Sequence, residues 1–115
     1  MSVDLTLCPD RHDGRSLNGW WLAYERISLD GDGRLWDAIK ELPPHPLPPL
    51  TRFTWYSDGG LEDATTDKYG EPLTYATAGE LGAIVLPEDV SPRNAAVFAY
   101  LRALPAGTPV VLWWH

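Results

Sequence analysis

Hydrophobic and polar positions follow two different periods along this chain, and the changes of period mark its elements. Val3, Leu5 and Leu7 alternate with Asp4 and Thr6, a period of two that predicts a half-buried strand ended by Cys8-Pro9-Asp10. Asp10 to Gly19 is polar, contains glycine and reads as loop. Trp20 to Leu29 is rich in aromatic and β-favouring residues and predicts a second strand. Asp30-Gly31-Asp32-Gly33 is a turn, since glycine supplies the backbone angles that tight turns need. Leu35, Trp36, Ile39 and Leu42 then recur at helical spacing, with Asp37, Lys40 and Glu41 on the other side. This predicts a short amphipathic helix, capped by Asp32 or Gly33 and stopped by Pro43-Pro44.

Pro43 to Leu50 holds five prolines and is expected to run extended as a stiff crossover. Arg52 to Tyr56 predicts a third strand, Ser57 to Gly70 a loop most flexible at Gly59-Gly60, and Leu73 to Ala76 a fourth strand. Gly79 to Leu86 fits either a helical turn or an extended segment. Ser91 caps a helix that opens on Pro92, runs to about Leu104 and ends at Pro105-Ala106-Gly107. Val97, Phe98, Leu101 and Leu104 share a face of it, each worth about 1.5–3 kcal/mol when buried. The alanines at 95, 96, 99 and 103 are expected to permit close approach to a sheet. The run from Val110 to His115 predicts a strand covered on both faces.

The pattern adds up to α+β: a mostly antiparallel sheet of about five short strands with two or three helices. The long helix near residues 92–104 packs on one face, in a single domain over 1–115. Trp20-Trp21 and Trp113-Trp114 each set one indole on either side of a strand. If helices cover only one face, the other indoles remain as anchors for a partner; loops, the proline segment or a second copy of the chain covering them is the plainer expectation.

Composition agrees with a folded protein: 115 residues, 44% hydrophobic, with six tryptophans. Charge adds what periodicity does not show. Between residues 58 and 89 stand Asp58, Glu62, Asp63, Asp67, Glu71, Glu80, Glu88 and Asp89 against Lys68 alone, which accounts for the whole formal charge of −7. A one-signed segment of this kind selects basic partners and repels nucleic acid and anionic membrane. A solvated surface that keeps the protein in solution is the plain alternative. The candidate binding residues are the acids Asp58, Glu62, Asp63, Asp67 and Glu71, with Trp55, Tyr56, Tyr69 and Trp114 as aromatic partners. Such a row of carboxylates can occupy a basic groove built for nucleic acid, with an affinity that falls with salt.

The sequence carries no clear catalytic or cofactor motif. One cysteine, Cys8, excludes an internal disulfide, and a reducing, cytoplasmic setting is the simplest expectation. No run of apolar residues has membrane-spanning length. Cys8, Asp10, His12 and Asp13 lie close together, yet no second cysteine repeats the pair spacing of a zinc site. Asp30-Gly31-Asp32-Gly33 departs from a calcium loop at Arg34 and Leu35. No phosphate-binding glycine loop or serine triad is present, so no cofactor or metal is expected.

Trp55-Tyr56-Ser57-Asp58, Pro72-Leu73-Thr74-Tyr75, Tyr100-Leu101-Arg102-Ala103-Leu104-Pro105 and Leu112-Trp113-Trp114-His115 resemble small uncharacterised proteins carried by phages and prophages. The resemblance covers roughly residues 51 to 115 and brings no activity or site. It implies a host-interaction protein. By analogy with small acidic phage inhibitors of CRISPR and other nucleic-acid-directed defences, the leading expectation is a non-enzymatic protein-binding module that docks on a basic host surface. Two alternatives stay open: a structural or oligomer-forming phage accessory protein, and a small metal-dependent or thiol enzyme using Cys8 and His12.

Overall fold

The computed structural model describes residues 3–10, 20–23, 25–57 and 59–115, with side chains of 20, 22, 56 and 57 excepted. Among the described residues, two sheets and three helices form three layers. The central sheet has the order β3-β1-β8-β7-β4, built from β1 (Leu5–Pro9), β3 (Ile27–Ser28), β4 (His45–Pro46), β7 (Thr74–Thr77) and β8 (Pro109–Trp114). Every pairing in it is antiparallel. A second sheet of three strands has β5 (Arg52–Ser57) in the middle, parallel to β2 (Trp20–Leu22) and antiparallel to β6 (Gly60–Ala64). The helices are α1 (Gly33–Lys40), α2 (Ala78–Gly82) and α3 (Pro92–Ala103).

The alternation of strand side chains divides the interior into two cores, one on each side of the central sheet. Leu5, Leu7, Val110 and Leu112 face the helices and meet Leu35, Ile39, Leu81, Phe98 and Leu101. Cys8 and Val111 point the other way and meet Trp21, Phe53 and Trp55 of the second sheet. β8 is therefore covered on both faces, as its unbroken apolar run predicts. β1 departs from expectation: all five of its residues are buried. Its alternation of Leu with Thr and Cys distinguishes two interiors rather than an interior from solvent.

The helix ends follow the expected chemistry. The Asp32 carboxylate caps α1 by accepting from the Arg34 backbone N–H at 3.0 Å, and Ser91 caps α3 through the Asn94 N–H at 3.1 Å. α3 opens on Pro92, which has no N–H to leave unsatisfied. α2 resolves the ambiguous segment: Thr77 and Glu80 form a reciprocal capping box. Ala96, Ala99 and Ala103 turn outward on α3 and only Ala95 is half-buried, so the approach to the sheet depends mainly on the apolar face.

Three further expectations are corrected. Trp20 to Leu29 is not one strand: β2 joins the second sheet and β3 the edge of the first. The proline-rich crossover adds β4 to the sheet edge, where a residue without an N–H such as Pro46 is tolerated, and then turns. Thr51 N–H donates to Pro48 at 3.1 Å, and the fully exposed Leu50 takes φ 66°, a left-handed conformation that costs a side-chain-bearing residue about 1–2 kcal/mol. The loop expected from Ser57 to Gly70 contains β6, the outer strand of a hairpin with β5. No helix among the described residues is long and apolar enough to cross a membrane.

Candidate functional site

The acidic residues divide between two structural settings. β6 carries Glu62 and Asp63, which point to opposite faces because they are adjacent on a strand. Asp63 accepts from the Thr54 hydroxyl and pairs with Arg52 at 3.5 Å. Glu62 stands opposite Trp55 in the register. Two neighbouring carboxylates on this strand therefore do not make one face. Asp58 lies outside the described residues, as does the Tyr56 side chain. Trp55 is core: its ring lies 5.7 Å from Phe53 and 5.3 Å from Trp113, and 8% of the residue is exposed. The second sheet thus covers Trp113, and the indole on that side of β8 is not left as an open anchor.

Asp67 and Glu71 belong to a turn that closes on itself. The Asp67 carboxylate accepts the backbone N–H groups of Tyr69 at 2.8 Å and Glu71 at 3.1 Å, while its own N–H donates to the Glu71 carbonyl at 2.9 Å. Gly70 sits at φ 81°, where only glycine is unstrained. Lys68 N–H donates to the Trp114 carbonyl at 3.2 Å and fastens the turn to β8 beyond the last residue that β7 covers.

Trp114 is the floor of what results. Its indole faces the helix side of the sheet, meets Trp36 edge-on at 5.9 Å, and carries the Lys40 ammonium 4.9 Å from its centroid. Trp36 in turn donates its indole N–H to the Val3 carbonyl at 2.8 Å, and Asp4 and His115 exchange backbone hydrogen bonds at 2.7 and 2.9 Å. Val3, Lys40, Asp67, Tyr69, Glu71 and Trp114 line a depression of about 320 Å³. A tighter cavity of about 160 Å³ adjoins it and shares Lys40 and Trp114. Four sequence candidates, Asp67, Glu71, Tyr69 and Trp114, are thus brought together. Tyr69 is 44% exposed, as an aromatic contact for a partner requires.

Other acids are engaged elsewhere. Asp89 pairs with Arg34 at 2.7 Å, and that guanidinium holds its carboxyl below the usual range. Glu80 belongs to a cluster that the charge pattern did not reveal. Its carboxylate receives the His45 imidazole at 2.9 Å and the Thr77 N–H at 2.9 Å, and His45 stacks on Tyr75 at 5.0 Å. The spacing of Thr77 and Glu80 was the available signal, as a capping box. Partial burial pushes the Glu80 carboxyl up, but the Thr77 N–H and His45 outweigh it and hold it below its ordinary value of 4.5. The stability this supplies is fully present above the ordinary value and is lost as pH falls through the lower folded value. Urea unfolding of wild type and Glu80→Gln should therefore differ above pH 4.5 and converge well below it. A gap that stays constant through that range would show that the carboxylate charge contributes nothing.

Cys8, the thiol considered from sequence, packs in the core between the two sheets. The residue is fully buried, and burial pushes its thiol up to about 12, against a smaller opposite pull from Arg26. A thiol in that state supplies almost no nucleophilic thiolate near neutrality. His12 lies outside the described residues. Among the described residues no three of His, Cys, Asp and Glu come together as a metal site. No family model, curated protein or solved structure matches the chain.

Proposed function

We propose that this protein is a non-enzymatic binding module that docks on a basic surface of another protein through the depression over Trp114. The observation that carries this reading is the convergence of Asp67, Glu71, Tyr69 and Trp114 on one concave surface. Carboxylates at a rim with partly exposed aromatic rings suit a cationic protein surface, since the rings contribute contact area and the charges orient the encounter. The resemblance to phage and prophage proteins points the proposal toward host proteins of nucleic-acid-directed defence. Their basic grooves are shaped for phosphates, and a carboxylate-bearing turn competes there by the same charge attraction.

Binding of an arginine-rich decapeptide, followed by fluorescence anisotropy of the labelled peptide, separates the two acidic settings. Asp67→Asn with Glu71→Gln should weaken binding about fivefold or more, as expected for two partly exposed charge contacts. The asparagine keeps an oxygen acceptor for the turn. Glu62→Gln with Asp63→Asn should change binding less than about twofold by the same reckoning. Wild-type affinity should fall with added salt. The reverse ranking of the two pairs, or affinity indifferent to salt, would contradict docking through this turn.

A further inference from the structure

We infer that the depression over Trp114 receives a single arginine side chain of the partner, and that this guanidinium takes the place of Lys40 on the indole face. The inference rests on the docking reading above and names its occupant. Lys40 is the last residue of α1, and its ammonium already lies over the Trp114 ring at 4.9 Å. Among the described residues no carboxylate pairs with it, so the ring is what holds it. The site therefore already holds a cation, one supplied by the chain itself. Trp36, edge-on against the same indole and fixed by its hydrogen bond to Val3, keeps the platform oriented before any ligand arrives, which lowers the cost of binding.

Lys40 also stands where the depression and the adjoining cavity meet, since both are lined by Lys40 and Trp114. Its withdrawal leaves the indole free for an incoming group. The exchange selects the incoming group. A second ammonium gains on the ring only what Lys40 gives up. A guanidinium stacks its plane on the indole and can offer paired N–H donors to a carboxylate, and Asp67 and Glu71 line the same depression. With Lys40 released to solvent, two carboxylates face one guanidinium.

The test is a titration of the full chain with N-acetyl-arginine amide and, separately, N-acetyl-lysine amide, followed by the indole N–H resonance of Trp114. The arginine amide should shift that resonance saturably, and the lysine amide should bind more weakly. Lys40→Ala should tighten arginine binding about two- to fivefold, the worth of an exposed cation–π contact. Lys40→Arg, which tethers a guanidinium in place, should weaken it. Equal affinities for the two amides, no saturable shift, or Lys40→Ala binding no tighter than wild type would each overturn the exchange. If the Lys40 variants match wild type while Asp67→Asn with Glu71→Gln still loses the peptide, the exchange fails and docking stands. If that acid pair retains the peptide, docking itself fails.

Discussion

Phe98→Ala should cost the protein about 3–5 kcal/mol, a large part of the 5–15 kcal/mol that a domain of this kind has in total. Phe98 is fully buried and lies at the centre of the face that α3 turns to the sheet, between Val97 and Leu101. The same interior holds Leu5, Leu7, Val110 and Leu112 from the two central strands and Leu35 and Ile39 from α1. Truncation removes contacts to several elements at once, and close-packed neighbours on a sheet and two helices collapse only partly into the space. Denaturant unfolding followed by far-ultraviolet circular dichroism measures the loss. Ala99→Ser, an exposed position on the same helix, should shift stability by less than about 0.5 kcal/mol. Equal effects at the two positions would mean that α3 does not anchor the fold.

Asn94→Leu should be the next most damaging change, at about 2–3 kcal/mol, although it places an apolar residue at a buried position. Asn94 is 1% exposed. Its side chain accepts the Asp30 N–H at 2.8 Å and donates to the Asp30 carbonyl at 3.0 Å, closing both backbone groups of the residue that leads into α1. Leucine fills similar volume but satisfies neither group. α3 and the start of α1 then lose the bond that fixes their relative position. Thermal unfolding should show the loss, and hydrogen exchange should locate it at the Asp30 amide. A leucine variant as stable as wild type would mean that water replaces the asparagine without cost.

Asn94 also marks a limit of what can be read from the chain. Its partner is 64 residues away, and a polar residue inside an amphipathic helix gives no sign of which backbone it will close. The elements with strong local chemistry were legible: α3 from Ser91-Pro92 and its apolar spacing, α1 from its period and Asp32, and β8 from its unbroken hydrophobic run. β6 was not, because an outer strand exposed over Gly60 to Glu62 and Asp63 carries no alternation of apolar and polar residues. α2, with five residues, is too short for a period to emerge, and only its capping box announces it.

The candidate site was legible in parts. Charge singled out Asp67 and Glu71, and aromatic character singled out Tyr69 and Trp114. Their grouping depends on the pairing of β1 with β8, which delivers Val3 to Trp114, and on the packing of α1 that lays Lys40 on the ring. Neither follows from local sequence. The same charge criterion also selected Glu62 and Asp63, which the strand separates onto opposite faces. Trp55, equally aromatic, is enclosed between Phe53 and Trp113, since ring chemistry alone does not distinguish a core contact from a surface one.

The proposed docking is tested most directly by affinity capture from an extract of the cells in which the protein acts, with wild type and the Asp67→Asn, Glu71→Gln variant run side by side at matched thermal stability. Wild type should retain a protein with a basic, nucleic-acid-binding surface, salt should release it, and the variant should fail to retain it. Retention of the same protein by both, unaffected by salt, would rule out docking through Asp67 and Glu71.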